Sequence, residues 1–346
     1  MRTRELAGQT IATVGLGDVS YVRSTRRGRD PNEVVRRVHD ALEANLDVID
    51  VAPESDTERM VADAVRDLRV RDRAIIATRL DELVQLPSGA PTRDLMLERL
   101  PVRYVIESVD AVLRNTKLDA LPLVQLPLYA KWQSSTAWPE LVGTCAKLVR
   151  DGKVRRWGAI AHEPELANET WLATIAIDFS LCQREAVGML AAVNGKPITV
   201  FARHPLAGGG LAGFLGPGVS LARLDDRRVL DTKALEEIAV GVAKLASRVK
   251  KEPIAARSCD AARSIFESTP RPPNVVVTTI AELALRYAID RGTVPLPRVH
   301  TAVDLFELVM CAGAERLPEP LIAKIDELFP DPVPERDTDE HERAEN

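Results

Sequence analysis

The stretch from Leu121 to Ala161 reads LPLVQLPLYAKWQSSTAWPELVGTCAKLVRDGKVRRWGAIA, and the order of its parts decides the fold. Leu121 to Leu126 is a short, mostly apolar run, as a strand buried on both faces requires. Trp138 to Asp151 has the pattern of an amphipathic helix, and Trp157 to Ala161 is again a short apolar run. Strand, helix and strand in so short a span form a parallel unit, because parallel neighbours need a crossover between them.

The same alternation extends in both directions. Towards the N-terminus the expected strands are Ile11 to Gly15, Val48 to Val51 and Ala74 to Thr78, with helices over Pro31 to Ala44, about Thr57 to Leu68, and Pro101 to Asn115. Towards the C-terminus Phe179 to Gln183, Ile198 to Ala202 and Thr293 to Leu296 continue the series, with helices over Leu235 to Val249 and Ile280 to Ile289. Eight short buried strands with intervening helices predict an α/β chain whose parallel sheet closes into a (β/α)8 TIM barrel. An open doubly wound sheet is disfavoured: no G-x-G-x-x-G follows the first strand, and the G-L-G of Gly15 to Gly17 is too short to count. One barrel is expected over residues 1–330, with a Gly-rich loop at about 203–230 and an insertion at about 250–273. Residues 331–346 are charged and lack large aliphatic anchors after Val333, the composition of a disordered acidic tail.

The net charge of -5 gives no basic surplus for nucleic acid. No apolar run approaches the ~20 residues of a membrane span, and the N-terminus lacks the apolar core of a signal peptide. Cys145, Cys182, Cys259 and Cys311 are far apart, without a C-x-x-C, so free thiols in a cytoplasmic protein are expected and a metal centre is not. A small molecule is the expected partner, and the acidic tail leaves room for a protein partner.

Several segments resemble the aldo-keto reductases. T-V-G-L-G at Thr13 to Gly17 is similar to that family's first strand, and L-V-R-D-G-K-V-R-R-W-G at Leu148 to Gly158 resembles its L-V-x-x-G-K-I-R-x-I-G segment. P-L-A-G-G-G-L-A-G at Pro205 to Gly213 resembles its P-L-x-x-G-x-L-x-G loop, and Ala281 to Pro297 resembles the helix and strand leading to its cofactor-phosphate loop. The resemblance implies the reductase type of barrel, with an Asp-Tyr-Lys-His tetrad and NADPH along the mouth.

The motifs depart from that pattern where the chemistry would be. D-T-A-x-x-Y-G becomes D-V-A-P-E-S-D, keeping Asp50 but putting Ser55 in place of the proton-donating Tyr. A-T-K becomes A-T-R, with Arg79 at the Lys, and L-x-Q-I-H becomes L-V-Q-L-P, with Pro127 at the His. A serine hydroxyl cannot replace a phenol of pKa ~10 as an acid, and Arg never gives up its proton. The nicotinamide-stacking aromatic corresponds to Arg203, and Arg298 stands where Gly would let backbone N–H groups approach phosphate. Gln183 matches the family's amide-binding Gln and would serve NADP if NADP binds; otherwise no cofactor is expected.

Barrel chemistry sits at the C-terminal ends of the strands, where this chain places many acids and bases. Asp50, Arg79, His162, Glu185 and His204 are the candidate catalytic residues, with Tyr129, Arg184, Arg203, Arg298 and His300 nearby. Three readings follow. The first is a barrel repurposed for non-redox acid–base work (elimination, isomerisation, cyclisation or hydrolysis) on a small polar or anionic molecule. The second is a non-catalytic pseudoenzyme that senses a ligand or binds a partner. The third is a divergent NADPH-dependent reductase whose proton donor has moved to Tyr129 or His162. The buried Asp50–Arg79 pair also admits a purely structural role.

Overall fold

A computed structural model describes residues 1–20, 31–83, 94–212 and 279–331. The insertion at 250–273, the helix expected at Leu235 to Val249, Cys259, most of the Gly-rich loop and nearly all of the tail lie outside the described residues. Among the described residues no helix is long and apolar enough to cross a membrane.

The chain begins with an antiparallel hairpin, β1 (Thr3–Leu6) and β2 (Gln9–Ala12). Its turn, Ala7-Gly8, has φ of 46° and 81°, the left-handed pair that suits the twist of a tight hairpin. Leu6 and Ile11 plug the floor of the barrel against Val48, Ile75, Leu123 and Phe201. The first strand expected at Ile11 to Gly15 is therefore corrected: its apolar start belongs to the plug, and the barrel strand begins at Leu16.

Eight parallel strands follow in sequential order: β3 (Leu16–Val19), β4 (Val48–Val51), β5 (Ile75–Arg79), β6 (Leu123–Pro127), β7 (Trp157–Ile160), β8 (Leu172–Asp178), β9 (Thr199–Arg203) and β10 (Thr293–Pro295). The helices are α1 (Pro31–Glu43), α2 (Ser55–Asp67), α3 (Leu95–Arg99), α4 (Val102–Thr116), α5 (Trp138–Arg150), α6 (Val187–Ala192), α7 (Ile280–Asp290), α8 (Ala302–Gly313) and α9 (Glu319–Leu328). This is the expected (β/α)8 TIM barrel. Outward strand residues such as Ile49, Val51 and Ile76 pack on Val38, Leu42, Val61 and Val65 of α1 and α2. Val124, Leu126, Ile175 and Ile177 do the same against α4, α5 and α7.

The G-L-G read above as too short for phosphate closes the barrel. Gly15 N–H donates to Pro295 O at 3.2 Å and Gly17 N–H to Pro297 O at 2.9 Å, joining β3 to the β10 edge. The approach is so close that a Cβ on Gly17 would lie 1.8 Å from Leu296 O. These glycines are needed for backbone contact, not for turn conformation.

The sixth barrel strand is also corrected, from Phe179–Gln183 to Leu172–Asp178. Its register with β9 runs from Thr174↔Thr199 to Asp178↔Arg203, which brings Asp178 to the mouth. Phe179 to Gln183 forms a loop instead, with Ser180 N–H donating to Gln183 O and Gln183 N–H to Ser180 Oγ, both at 3.0 Å. It imitates a strand in sequence because Phe179 and Leu181 are buried, packed into the core beneath the helices. Inside the barrel, apolar floor residues give way upward to Asp50, Arg79, Asp178 and Arg203, so the ionic groups collect at the mouth.

Candidate active site

Asp50 lies next to the last residue of β4 and faces inward, 2% exposed. Its Oδ2 accepts from Asp18 N–H at 2.9 Å, Gln125 Nε2 lies 3.4 Å from Oδ1, and Arg79 Nε is 3.6 Å from the same oxygen. Burial raises the Asp50 pKa; Arg79, the Asp18 N–H and Arg203 pull against it. Arg79 reaches past Asp50: its Nη2 bonds Asp18 Oδ1 at 2.7 Å and its Nε points at Val51 O, 3.3 Å away. Asp18 takes a second cation, Arg298, whose Nε donates to Oδ2 at 2.7 Å and whose Nη2 also bonds that oxygen. The backbone of Asp18 is left-handed, φ 47°, a conformation that non-glycine residues hold only where their surroundings fix it.

A second group surrounds Asp178. His162 Nε2 lies 3.9 Å from Oδ2, while His204 Nε2 and Arg203 Nε lie 3.7 and 3.8 Å from Oδ1. Oδ1 is shielded from solvent and accepts no hydrogen bond among the described residues. The correction of β8 supplies His162 with this partner, Asp178. His204 is also left-handed, φ 49°. Burial lowers its pKa, Asp178 opposes, and Arg203 and Arg298 add to the lowering, so the shift favours the neutral imidazole. A neutral imidazole in a polar cleft is poised to accept a proton.

One cleft of about 480 Å³ is lined by Asp18, Asp50 and Arg298 of the first group and by Arg203 and His204 of the second, together with Gly208, His300 and Thr301; Arg79, Asp178 and His162 are not among its lining residues. Asp18 and Asp50 form its floor. Thr301 and Asp304 cap α8 reciprocally there, Asp304 N–H donating to Thr301 Oγ1 at 3.2 Å and Thr301 N–H to Asp304 Oδ2 at 2.9 Å.

The structure therefore brings together Asp50, Arg79, His162 and His204 from the sequence-derived set, and adds Asp18 and Asp178, which sequence reasoning missed. It separates two others. Arg184 does not end a strand: it is 3% exposed and ties down the C-terminal segment through Asp326 at 2.9 Å and Asp331 at 2.5 Å. Glu185 is exposed in the loop before α6 rather than at a strand end. Ser55 is exposed at the start of α2, its carbonyl accepting from Asn115 Nδ2 at 2.6 Å. Pro127 closes β6 and has no group that could orient a carbonyl. Tyr129 donates its hydroxyl to Glu82 at 2.6 Å, and that bond, with burial, pushes its pKa up to about 12.

The model of the Aldo/keto reductase family matches residues 13–329. Among solved structures, the glycerol dehydrogenase of Gluconobacter oxydans is 19% identical with a TM-score of 0.70, covering 96% of this chain and 98% of its own. The holo form of an aldo-keto reductase from Bacillus halodurans is 19% identical with a TM-score of 0.64, covering 97% and 99%. An aldo/keto reductase from Klebsiella pneumoniae, in complex with NADP and acetate, is 19% identical with a TM-score of 0.60, covering 96% of each chain. No curated protein matches the chain.

Proposed function

The chain belongs to the aldo/keto reductase family, and from that premise we propose that its mouth performs non-redox acid–base chemistry on a small anionic molecule rather than NADPH-dependent carbonyl reduction. The observation that carries this reading is the His204 imidazole, 3.7 Å from Asp178 and sharing the cleft lining with Arg203 and Arg298, its pKa lowered chiefly by burial. In this reading, Arg203 and Arg298 hold the anion, the His204 imidazole takes a proton from the bound molecule, and Asp178, 3.7 Å from Nε2, stabilises the imidazolium that forms. His162, half-exposed and 3.9 Å from Asp178 Oδ2 though outside the cleft lining, is the group we assign to return the proton. Asp50 and Arg79 lie below as the ionic base on which Asp18 and the cleft floor rest.

The residues present do not fit a nicotinamide ring and its hydride acceptor. No phenol stands where Ser55 does, and Arg79 is committed to Asp18 and Asp50 rather than free to depress a neighbouring hydroxyl. A guanidinium stands at the ring-stacking position after β9, and Arg298 turns inward onto Asp18. Tyr129 is a poor substitute donor, because its proton is already given to Glu82 and its pKa is raised, not lowered. The NADP in the Klebsiella pneumoniae relative supports the opposite reading, a divergent reductase. A cofactor titration separates the two.

The direct test is a panel of small phosphorylated and carboxylated compounds incubated with the protein in D2O and followed by proton NMR, with no cofactor added. The expected result is turnover or deuterium incorporation for at least one anion, lost on His204→Gln and on Arg203→Ala. Turnover that requires NADPH, or that survives in His204→Gln, contradicts the reading.

A further inference from the structure

Two of the three guanidiniums at the mouth are already occupied by an anion that belongs to the protein. Asp18 holds Arg298 through Oδ2, at 2.7 Å from Nε, and Arg79 through Oδ1, at 2.7 Å from Nη2. It is not free to swing away. Its left-handed backbone is fixed by its own N–H on Asp50 Oδ2 at 2.9 Å, and Gly17 before it is pinned to Pro297 O at 2.9 Å. The rigid backbone of the barrel seam thus presents a carboxylate to the cleft wall. Arg203, at the end of the neighbouring strand β9, differs: its guanidinium is 3.8 Å from Asp178 and makes no hydrogen bond among the described residues. Of the two held cations, Arg298 is the more exposed, at 28% of its side chain against 10% for Arg79.

We propose that Asp18 is a built-in competitor for the cleft's anionic ligand, and that the ligand carries a phosphate group. The inference rests on the reading that the cleft takes an anion. An incoming phosphate meets Arg203 first and completes its binding by drawing Arg298 away from Asp18, while Arg79 stays with Asp18 and Asp50. Asp18 divides its one carboxylate between two guanidiniums, Oδ2 for Arg298 and Oδ1 for Arg79, whereas a phosphate brings more oxygens and more charge and can engage Arg298 and Arg203 together. Affinity is then set by the difference between two charge-assisted contacts, and only a ligand offering more than Asp18 offers is retained.

Calorimetric titration of the full chain with inorganic pyrophosphate tests this. Asp18→Asn is the informative variant, since Asn removes the charge yet suits positive φ; Asp18→Gly suits it equally and guards against a folding defect of the first. Both are expected to bind pyrophosphate about tenfold more tightly than the unaltered protein, within the usual range for coupled sites. Glu307→Gln, which removes another negative charge from the cleft lining, is expected to change affinity by less than about twofold. The gain from Asp18→Asn should vanish when Arg298→Gln is also present, as a pairwise coupling requires. Equal affinity in the unaltered protein and both Asp18 variants, or a gain that persists without Arg298, overturns the proposal. If binding is also weakened by Arg203→Ala, the anion reading survives that loss; pyrophosphate binding to none of these proteins removes both.

Discussion

Gly17→Ala is expected to cost about 3 kcal/mol or more of stability, among the largest effects of any single methyl group in this chain. A Cβ there would lie 1.8 Å from Leu296 O and 2.4 Å from its carbonyl carbon, so backbone rather than a flexible side chain must move. That movement separates β3 from the β10 edge, where Gly15 and Gly17 supply N–H donors to Pro295 and Pro297. It also displaces Asp18, the next residue, from Arg79 and Arg298. Gly143 provides the contrast. It lies in the middle of α5 with nothing within 4 Å of its added Cβ, and Gly143→Ala is expected to be neutral or to stabilise by about 0.5–1 kcal/mol. Urea unfolding of the three proteins makes the comparison. A Gly17→Ala midpoint within error of the unaltered protein would mean that the seam is looser than described.

The second large effect is expected from Arg79→Met, which keeps the bulk and removes the cation under the mouth. Asp50, 2% exposed, then loses its nearest positive charge, and Asp18 loses one of the guanidiniums it holds, keeping Arg298. Breaking a buried ion pair on one side costs about 3–5 kcal/mol. The pH dependence has a definite sign. Burial already raises the Asp50 pKa in the native protein, and loss of Arg79 raises it further. The folded variant therefore holds a proton that the unfolded chain has released, so its stability falls as pH rises above the ordinary Asp range and recovers as pH falls. Arg79→Met should be closest to the unaltered protein near pH 5 and furthest from it at pH 8. A stability loss of equal size at both values would show that Asp50 does not carry the charge the cluster is built around.

Much of the fold was legible because burial leaves a plain record in a barrel. Strands such as Val48–Val51 and Leu123–Pro127 are short apolar runs with inward polar residues only near their ends, and the helices between them keep a helical apolar spacing. The two misplaced strands fail for one reason. Ile11 and Phe179 are buried without belonging to barrel strands, the first in the floor plug and the second under α7, and apolar runs alone do not distinguish these fates. The site was half legible. Asp50, Arg79, His162 and His204 follow apolar runs and align with motif positions, so they could be found. Asp18 was hidden in a glycine-rich stretch weighed for phosphate binding, while its actual importance comes from a left-handed backbone that only the seam imposes. Asp178 was lost with the displaced strand, and Glu185 was put in its place. A signal for Asp178 did exist: T-I-A-I-D at Thr174 to Asp178 alternates with period two and ends on an acid.

If the mouth binds through phosphate and does not hold a nicotinamide ring, calorimetry comparing NADPH with 2′,5′-ADP, which carries the phosphates of its adenosine half without the nicotinamide, has a definite outcome. NADPH is expected to bind no more tightly than 2′,5′-ADP, and Arg203→Ala to weaken both alike. NADPH binding more tightly than the fragment by about tenfold, some 1.4 kcal/mol supplied by the nicotinamide half, would contradict that reading and return the protein to the reductases.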